Sequence, residues 1–384
     1  MQDLGLQSRF DAALSAVPED LRAGPIGLAV SGGSDSVALL HLARRWAGAC
    51  GQSLLVLTVD HRLRPQAAAE AQQVAALCAG FGLAHQTLVW EAPVARQSAA
   101  RRARHALLAS ALRIAGGQLL LTGHTATDQA ETVLMRARQG SGWYGLAGMR
   151  SLSLSPVWPE GEGLWIARPL LGETRGALRG WLEGKGEDWI DDPSNTNPAF
   201  ERIRIRLQLA ARSRDLHART LACQQGFARL RAVEDAFLAR WLGIAVSLAP
   251  DGAVTARLTG LAPERAARAL GILLQCVAGR ETPPRSESLA GLAARCLGEP
   301  AFRGATLGGV RVRPSRAGLK LAPEPGARQN PPAPDVLAAR INAFRRLFIN
   351  SAQDFVAGAG KESFLQGLAP IFNSNTVSFV RDLP

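Results

Sequence analysis

A parallel α/β sheet flanked by helices, followed by a mainly helical second domain, is the fold this sequence predicts. Three observations carry that reading. Short apolar runs alternate with helix-patterned stretches from Ile26 to about Gln139, the rhythm of successive βα units. From Thr220 onward apolar residues recur at helical spacing instead. The 384 residues, 47% of them hydrophobic, suffice for two or three separately cored domains.

Taken in order, Ile26–Val30 is a short apolar run suited to a buried parallel strand, and a helix pattern follows from Ser36 to about Trp46. Leu54–Val59 and His85–Trp90 read as further strands, each followed by a helix, Ala67–Ala79 and Ser98–Ile114. A fourth strand, Gln118–Thr122, enters a helix near Thr127–Gln139. Gly140–Gly148 breaks the pattern, and Ser151–Glu162, with Pro156 and Pro159, reads as a loop or hairpin. A helix over Thr174–Gly184, a turn cluster over Asp191–Pro198 and a basic stretch over Arg202–Arg219 close this region. In the second part Leu230, Val233, Phe237 and Trp241 form one apolar helical stripe. Glu264–Val277 and Ser286–Leu297 read as helices around Pro283-Pro284, and alternation at Val310–Leu321 as a hairpin. Gly326–Pro334 reads as a linker. The domains expected are 1–215, 216–325 and a linker and tail over 326–384, to which no role is assigned.

Composition narrows the partners. The net charge is +12 and only Lys185, Lys320 and Lys361 are lysines, so the charge is almost wholly arginine, which suits paired hydrogen bonding to phosphate. Cys50, Cys78, Cys223, Cys276 and Cys296 form no CxxC pair, and are expected to be small buried thiols rather than a zinc site, an iron–sulfur ligand set or a disulfide framework. No apolar run reaches the length of a membrane span, and the N-terminus carries no export pattern. A cytoplasmic protein with no membrane association is expected, and no protein partner is predicted.

The clearest chemical motif is Ser31-Gly32-Gly33-Ser34-Asp35-Ser36, placed between the first strand and its helix. Glycines let the backbone approach phosphate oxygens. Free N–H groups and the helix dipole attract the anion, and Ser31, Ser34 and Ser36 add hydroxyls. Asp35 makes sense there as a ligand for magnesium on the phosphates. The GxxxxGK[ST] pattern is missing, so this is not a Walker-type loop. It resembles the SGGxDS loop of the N-type ATP pyrophosphatases, a Rossmann-like PP-loop superfamily, which implies ATP as a substrate and an adenylated intermediate.

Further motifs follow in order: Val59–Pro65, Ala100–Arg104, Gly123–Thr132, Arg138–Gly142, Gly145–Met149, Arg168–Leu171 and Asp192–Asn195. Together they resemble the tRNA(Ile)-lysidine synthetase family, closely over residues 20–210 and loosely to about 325. That resemblance implies ATP-dependent ligation of free lysine to carbon 2 of the wobble cytidine of tRNA(Ile) with a CAU anticodon, releasing AMP and pyrophosphate. It implies ATP binding by the loop with His124 and Arg101, catalysis through Asp35, Asp128 and Glu131, lysine binding by Asp128, Glu131 and Asp60, and tRNA binding by Arg202, Arg204 and Arg206. Asp128 and Glu131 share a helix face and can hold an ammonium, a second magnesium or an amine proton. Arg104 joins Arg101 as a phosphate or tRNA candidate, and Arg311 and Arg313 are further tRNA candidates.

The sequence departs from the family at Thr125, where a second histidine is usual, at Thr127, usually an acid, at His105, usually aromatic, and at Ile203, usually asparagine. Two other readings are another PP-loop tRNA-modifying or amidating enzyme and a non-catalytic RNA-binding relative. Paired cysteines and a glutaminase nucleophile are missing for the first, and the intact Asp35, Asp128 and Glu131 speak against the second.

Overall fold

The computed structural model describes residues 2–94, 96–191, 201–211, 214–326 and 332–358. They pack as two compact units, one holding residues 1–153 and 164–232, the other residues 154–163 and 233–352.

The first unit opens on helix α1 (Gln2–Ser15), which buries Leu6, Phe10 and Leu14. Their spacing of four is a helical signal that the strand–helix alternation further on had overshadowed. Then come β1 (Ile26–Ala29), α2 (Ser34–Cys50), β2 (Leu54–Asp60), α3 (Ala67–Gly80), β3 (Ala84–Val89), α4 (Gln97–Ile114), β4 (Leu119–Thr122) and α5 (Ala126–Arg138). Each lies where apolar runs and helical periods place it. A short helix α6 (Trp143–Leu146) interrupts the glycine-rich segment. The proline-bearing stretch is a loop between β5 (Leu152–Leu154) and β6 (Trp165–Ala167), and α7 (Arg175–Glu183), α8 (Glu201–Ala211) and α9 (Arg214–Ala245) follow. The turn expected after Asp191, with the Asp192–Asn195 motif, lies outside the described residues.

The sheet order is β3-β2-β1-β4-β6-β5, with β1/β2, β1/β4, β2/β3 and β4/β6 parallel. Ile26, Leu28, Leu119, Leu120 and Leu121 are fully buried, because the central strands are covered on both faces. The sheet grows to one side of β1 through β2 and β3 and to the other through β4. The reversal between β1 and β4 opens a crevice at the carboxyl ends of the strands, where ligands of such sheets gather.

In the second unit, β7 (Val246–Leu248), β8 (Val254–Ala256), β9 (Ala305–Leu307), β10 (Val310–Ser315) and β11 (Gly318–Pro323) form a five-stranded antiparallel sheet, order β7-β8-β11-β10-β9. The expected hairpin is β10/β11, set inside this sheet. Helices α10 (Pro263–Val277), α11 (Ser286–Gly298) and α12 (Pro334–Gly358) accompany it. The expected stripe on α9 needs correcting. Trp241 is buried with Leu238 and Leu242, whereas Val233 and Phe237 are more than a third exposed, and the Arg265 guanidinium lies 4.2 Å from the Phe237 ring centroid. The thiols are also less uniform than expected: Cys78 and Cys276 are buried, Cys223 and Cys296 half-buried and Cys50 exposed. Burial pushes Cys276 up to about 12, so it packs as an inert apolar group. No helix among the described residues is long and apolar enough to cross a membrane.

Candidate active site

The crevice is built first from the turn after β1. Gly32 has φ +85°, and a Cβ there would fall 2.4 Å from the Ile190 side chain, whose N–H in turn donates to the Gly32 carbonyl at 2.9 Å. Only glycine fits this position. The Ser36 hydroxyl donates to the Gly33 carbonyl at 2.8 Å and accepts from the Ser31 N–H at 3.2 Å, which closes the loop. The first-turn amides of α2, at Ser34 and Asp35, lie where a helix has no acceptor of its own. Gly123, after β4, brings its backbone against this turn; a Cβ would sit 2.9 Å from the Asp35 carbonyl.

The second wall is the start of α5. Thr125 caps it: its hydroxyl accepts from the Asp128 N–H at 3.4 Å, while Asp128 Oδ2 accepts from the Thr125 N–H at 2.8 Å and hydroxyl at 2.9 Å. This capping box fixes Asp128, with Oδ1 turned toward the crevice. The departure at Thr125 thus has a local role, and Thr127 Oγ1 accepts the Arg175 N–H at 3.2 Å.

Three arginines bind the acids together. Arg175 Nε donates to Asp35 Oδ2 at 2.8 Å and its Nη2 to Asp128 Oδ1 at 3.2 Å, with Nη1 3.8 Å from Glu131 Oε1. Arg202 donates to Glu131 at 2.6 Å and Asp128 at 2.9 Å, and Arg206 to Glu131 at 2.7 Å. Glu131 is wholly buried and is flanked by an apolar contact of α5 and α8, made by Ala130, Leu134, Ile205 and Leu209. Burial pushes the Asp35 carboxyl up, and Arg175 only partly offsets this. Burial also opposes the charge on Asp128, but Arg202 and Arg175 outweigh it and hold this carboxyl below its ordinary value. For Arg175 itself, burial is outweighed by Asp35 and Asp128, so its guanidinium holds its proton more tightly than usual.

Most of these groups line a cavity of about 530 Å³, a size suited to a nucleotide. Its lining combines apolar side chains, Val30, Leu57, Val59, Leu63 and Leu108, with the loop and the charged groups Asp35, Asp128, Arg175 and Arg179. Seven arginines and four carboxylates line it altogether, a balance that favours an anion. Arg101 and Arg104 face it from α4, and burial with their mutual repulsion lowers Arg104 to about 10. His124 lines it too, one ring nitrogen 2.8 Å from the Thr122 hydroxyl. Burial and Arg168 push it down to about 3, so it is neutral at physiological pH.

Of the residues read from the sequence, Ser31, Gly33, Ser34, Asp35, Ser36, Arg101, His124, Asp128, Arg202 and Arg206 line this cavity, and Gly32 and Glu131 shape it from behind. Asp60 is buried at the end of β2 and accepts the Arg62 N–H at 2.8 Å, supporting the positive φ of that residue. Arg202 and Arg206, four apart on α8, share the inward face. Arg204, about 200° round the helix from Arg202, is exposed. The sequence motifs do not mark Arg175 and Arg179; for Arg175 the available signal is a cation in the first turn of a helix, where the dipole disfavours it unless carboxylates face it.

A family model described as a PP-loop domain matches residues 6–213. The chain is 54% identical over 366 residues to a tRNA(Ile)-lysidine synthase of Hyphomonas neptunium, covering 95% of this chain and 98% of that one. It is 36% identical over 311 residues to one of Caulobacter vibrioides, covering 80% and 69%. Among solved structures, the U34-tRNA thiolase NcsA of Methanococcus maripaludis aligns over 60% of this chain and 79% of its own with a TM-score of 0.50 and 14% identity, a likeness of fold alone.

Proposed function

Since the chain belongs to the tRNA(Ile)-lysidine synthases, 95% of it aligning with 98% of one of them, we propose that the arginine-rich cavity of the first unit is where ATP and lysine meet the wobble cytidine. The activity is lysidine formation on tRNA(Ile), ATP-dependent and passing through an adenylated tRNA. The thiolating, amidating and non-catalytic readings are not favoured by relatives this similar.

The observation that carries the site is convergence: the loop after β1, both α5 carboxylates and the arginines of α4, α7 and α8 line or border one cavity. The adenosine suits the apolar part of the lining, Val59, Leu63 and Leu108. The triphosphate lies along Ser31–Ser36, on the amides of α2, with Arg101 and Arg104 opposite and His124 as a neutral hydrogen-bonding group. Among the described residues no three carboxylate, histidine or cysteine side chains gather as a metal site. A magnesium ion held by Asp35 and mainly by phosphate oxygens suits that donor set; it would neutralise charge on the departing pyrophosphate. Asp128 and Glu131 are the anionic pair for the lysine ammonium, and a carboxylate there can take the proton that the amine sheds as it attacks carbon 2 and AMP leaves. Arg204, outward on α8, and Arg311 and Arg313 on β10 are the candidates for tRNA phosphates, which supply affinity without reading sequence.

The test is transfer of labelled lysine into tRNA(Ile) carrying a CAU anticodon, with ATP and magnesium. Asp35→Ala and Glu131→Gln should each lower incorporation by at least about a hundredfold. Incorporation at the wild-type rate in Asp35→Ala would refute the role given to the loop.

A further inference from the structure

We infer that Arg175 couples nucleotide binding to lysine binding, blocking the lysine site until ATP arrives. This rests on the assignment of Asp128 and Glu131 as the ammonium site.

Charge sets the problem. Asp35, Asp128 and Glu131 face Arg175, Arg202 and Arg206, three anions against three cations, all in contact. A lysine ammonium entering this cluster would be a fourth cation, and it would have to displace a guanidinium with nowhere to go. The Asp128 carboxylate makes the point atom by atom: Oδ2 is used by Thr125, and Oδ1 accepts from both Arg175 and Arg202.

Arg175 differs from the other two arginines. It reaches both the loop acid, Asp35, and the acids of α5, whereas among the described residues the carboxylates that Arg202 and Arg206 reach are those of Asp128 and Glu131. Its backbone is fixed: the Arg175 N–H donates to Thr127 Oγ1, and the carbonyl of Glu173 accepts the Ala126 N–H at 2.8 Å. Its guanidinium, at the end of a long stem in the first turn of α7, is held there only by carboxylates, against the helix dipole. A magnesium-bound triphosphate on Ser31–Ser36 lies beside Asp35. It supplies the anion that draws the guanidinium off Asp128 and Glu131, while the metal takes over Asp35. Asp128 and Glu131 are then matched one to one by Arg202 and Arg206, and an ammonium can take the place Arg175 vacates at Asp128 Oδ1 and near Glu131 Oε1, its charge balanced by the net negative charge of the magnesium-bound triphosphate. Arg175 is on this reading a positioning residue, and the coupling is reciprocal.

Equilibrium binding of lysine to the full-length protein tests this without turnover, using calorimetry with tRNA omitted and α,β-methylene-ATP plus magnesium present or absent. Wild type should bind lysine at least about tenfold more tightly with the nucleotide. Arg175→Met should bind lysine nearly as tightly without nucleotide as wild type does with it, leaving a ratio near one. Arg206→Met removes a cation that does not reach the loop and leaves Arg175 bridging Asp35 and Asp128, so it should tighten lysine binding alike with and without nucleotide and retain the wild-type ratio. Melting curves establish that each variant is folded. Equal lysine affinity with and without nucleotide in wild type would overturn the proposal, as would a wild-type ratio in Arg175→Met. Lysine binding untouched by both Asp128→Asn and Glu131→Gln would instead show that the ammonium site lies elsewhere, and the coupling would fall with it.

Discussion

Replacing Glu131 by glutamine removes one charge and keeps the shape, so it isolates what the buried carboxylate does for the fold. Glu131 is wholly buried and accepts Arg202 Nε at 2.6 Å, Arg206 Nε at 2.7 Å and Arg206 Nη2 at 3.4 Å. Glutamine keeps one acceptor oxygen and turns an amide toward guanidinium donors, so at least one charged hydrogen bond is lost and an N–H faces an N–H. A charged hydrogen bond contributes about 1.5–3 kcal/mol, and stripping one partner from a buried ion pair costs about 3–5 kcal/mol. Arg202 and Arg206 are only about 30% exposed, yet that is enough to rehydrate them in part, which places the cost near the lower range, about 2–3 kcal/mol. The loss should fall on the docking of α8, because Glu131 and the Ala130–Leu134–Ile205–Leu209 contact hold it to α5. Hydrogen–deuterium exchange read by mass spectrometry should therefore show α8 amides opening roughly thirty- to a hundred-and-fiftyfold more often, with β1 and β4 unchanged. Protection of α8 within about threefold of wild type would refute the electrostatic clamp at Glu131 and leave the apolar contact, with Arg202–Asp128 and Arg138–Gln208, to tie the helices.

Three further outcomes follow from the same geometry. His105 is buried with neither ring nitrogen partnered and is pushed down by burial and Arg104 to about 3. The unfolded chain thus binds a proton near pH 6.5 that the folded chain refuses, so stability is full above that pH and declines as pH falls toward 3, by up to about 1.4 kcal/mol per unit. His105→Phe should raise the neutral-pH melting temperature and flatten its decline between pH 7 and 5. Gly32→Ala, with φ +85° and Ile190 in the way, should lower the melting temperature and weaken equilibrium ATP binding by at least about tenfold, measured by calorimetry well below the variant's own melting point. The double change Arg313→Gln and Lys320→Gln removes a directly opposed pair of cations on β10 and β11. It should weaken tRNA binding and reduce the slope of log affinity against log salt by about one per charge, read from filter binding at several KCl concentrations.

Local signals made the catalytic unit readable. Ile26–Val30 must be buried strand because five apolar residues run straight into a glycine pair. Asp128 and Glu131 share a face because three residues is nearly one helical turn. The cation half of the site was harder, for a physical reason: Arg175 meets Asp35 across 140 residues and Asp128 across 47, and no local pattern encodes a pairing that only the sheet's reversal creates. The alternation Arg202, Arg204, Arg206 looked like one basic surface, yet a helix turns 100° per residue and sends the middle member outward. Asp60 was read toward the ligand, but the backbone N–H two residues on claims its carboxylate. In the second unit β7, β8 and β9 are three residues each, too short to alternate recognisably, so only the β10/β11 hairpin was visible.

The arginine wall of the cavity has a meaning beyond charge. Adenylation turns carbon 2 of the cytidine into an electrophile waiting for an amine, and any primary amine in reach would compete with the intended one. All seven cationic chains lining the cavity are arginines, and none of its lining side chains is a primary amine. Even Arg104, lowered to about 10, stays protonated at neutral pH and has no free lone pair to offer, unlike a lysine desolvated in such a place. The enzyme can therefore surround its activated tRNA with positive charge and still be chemically deaf to it, leaving the nucleophile to be the one that diffuses in.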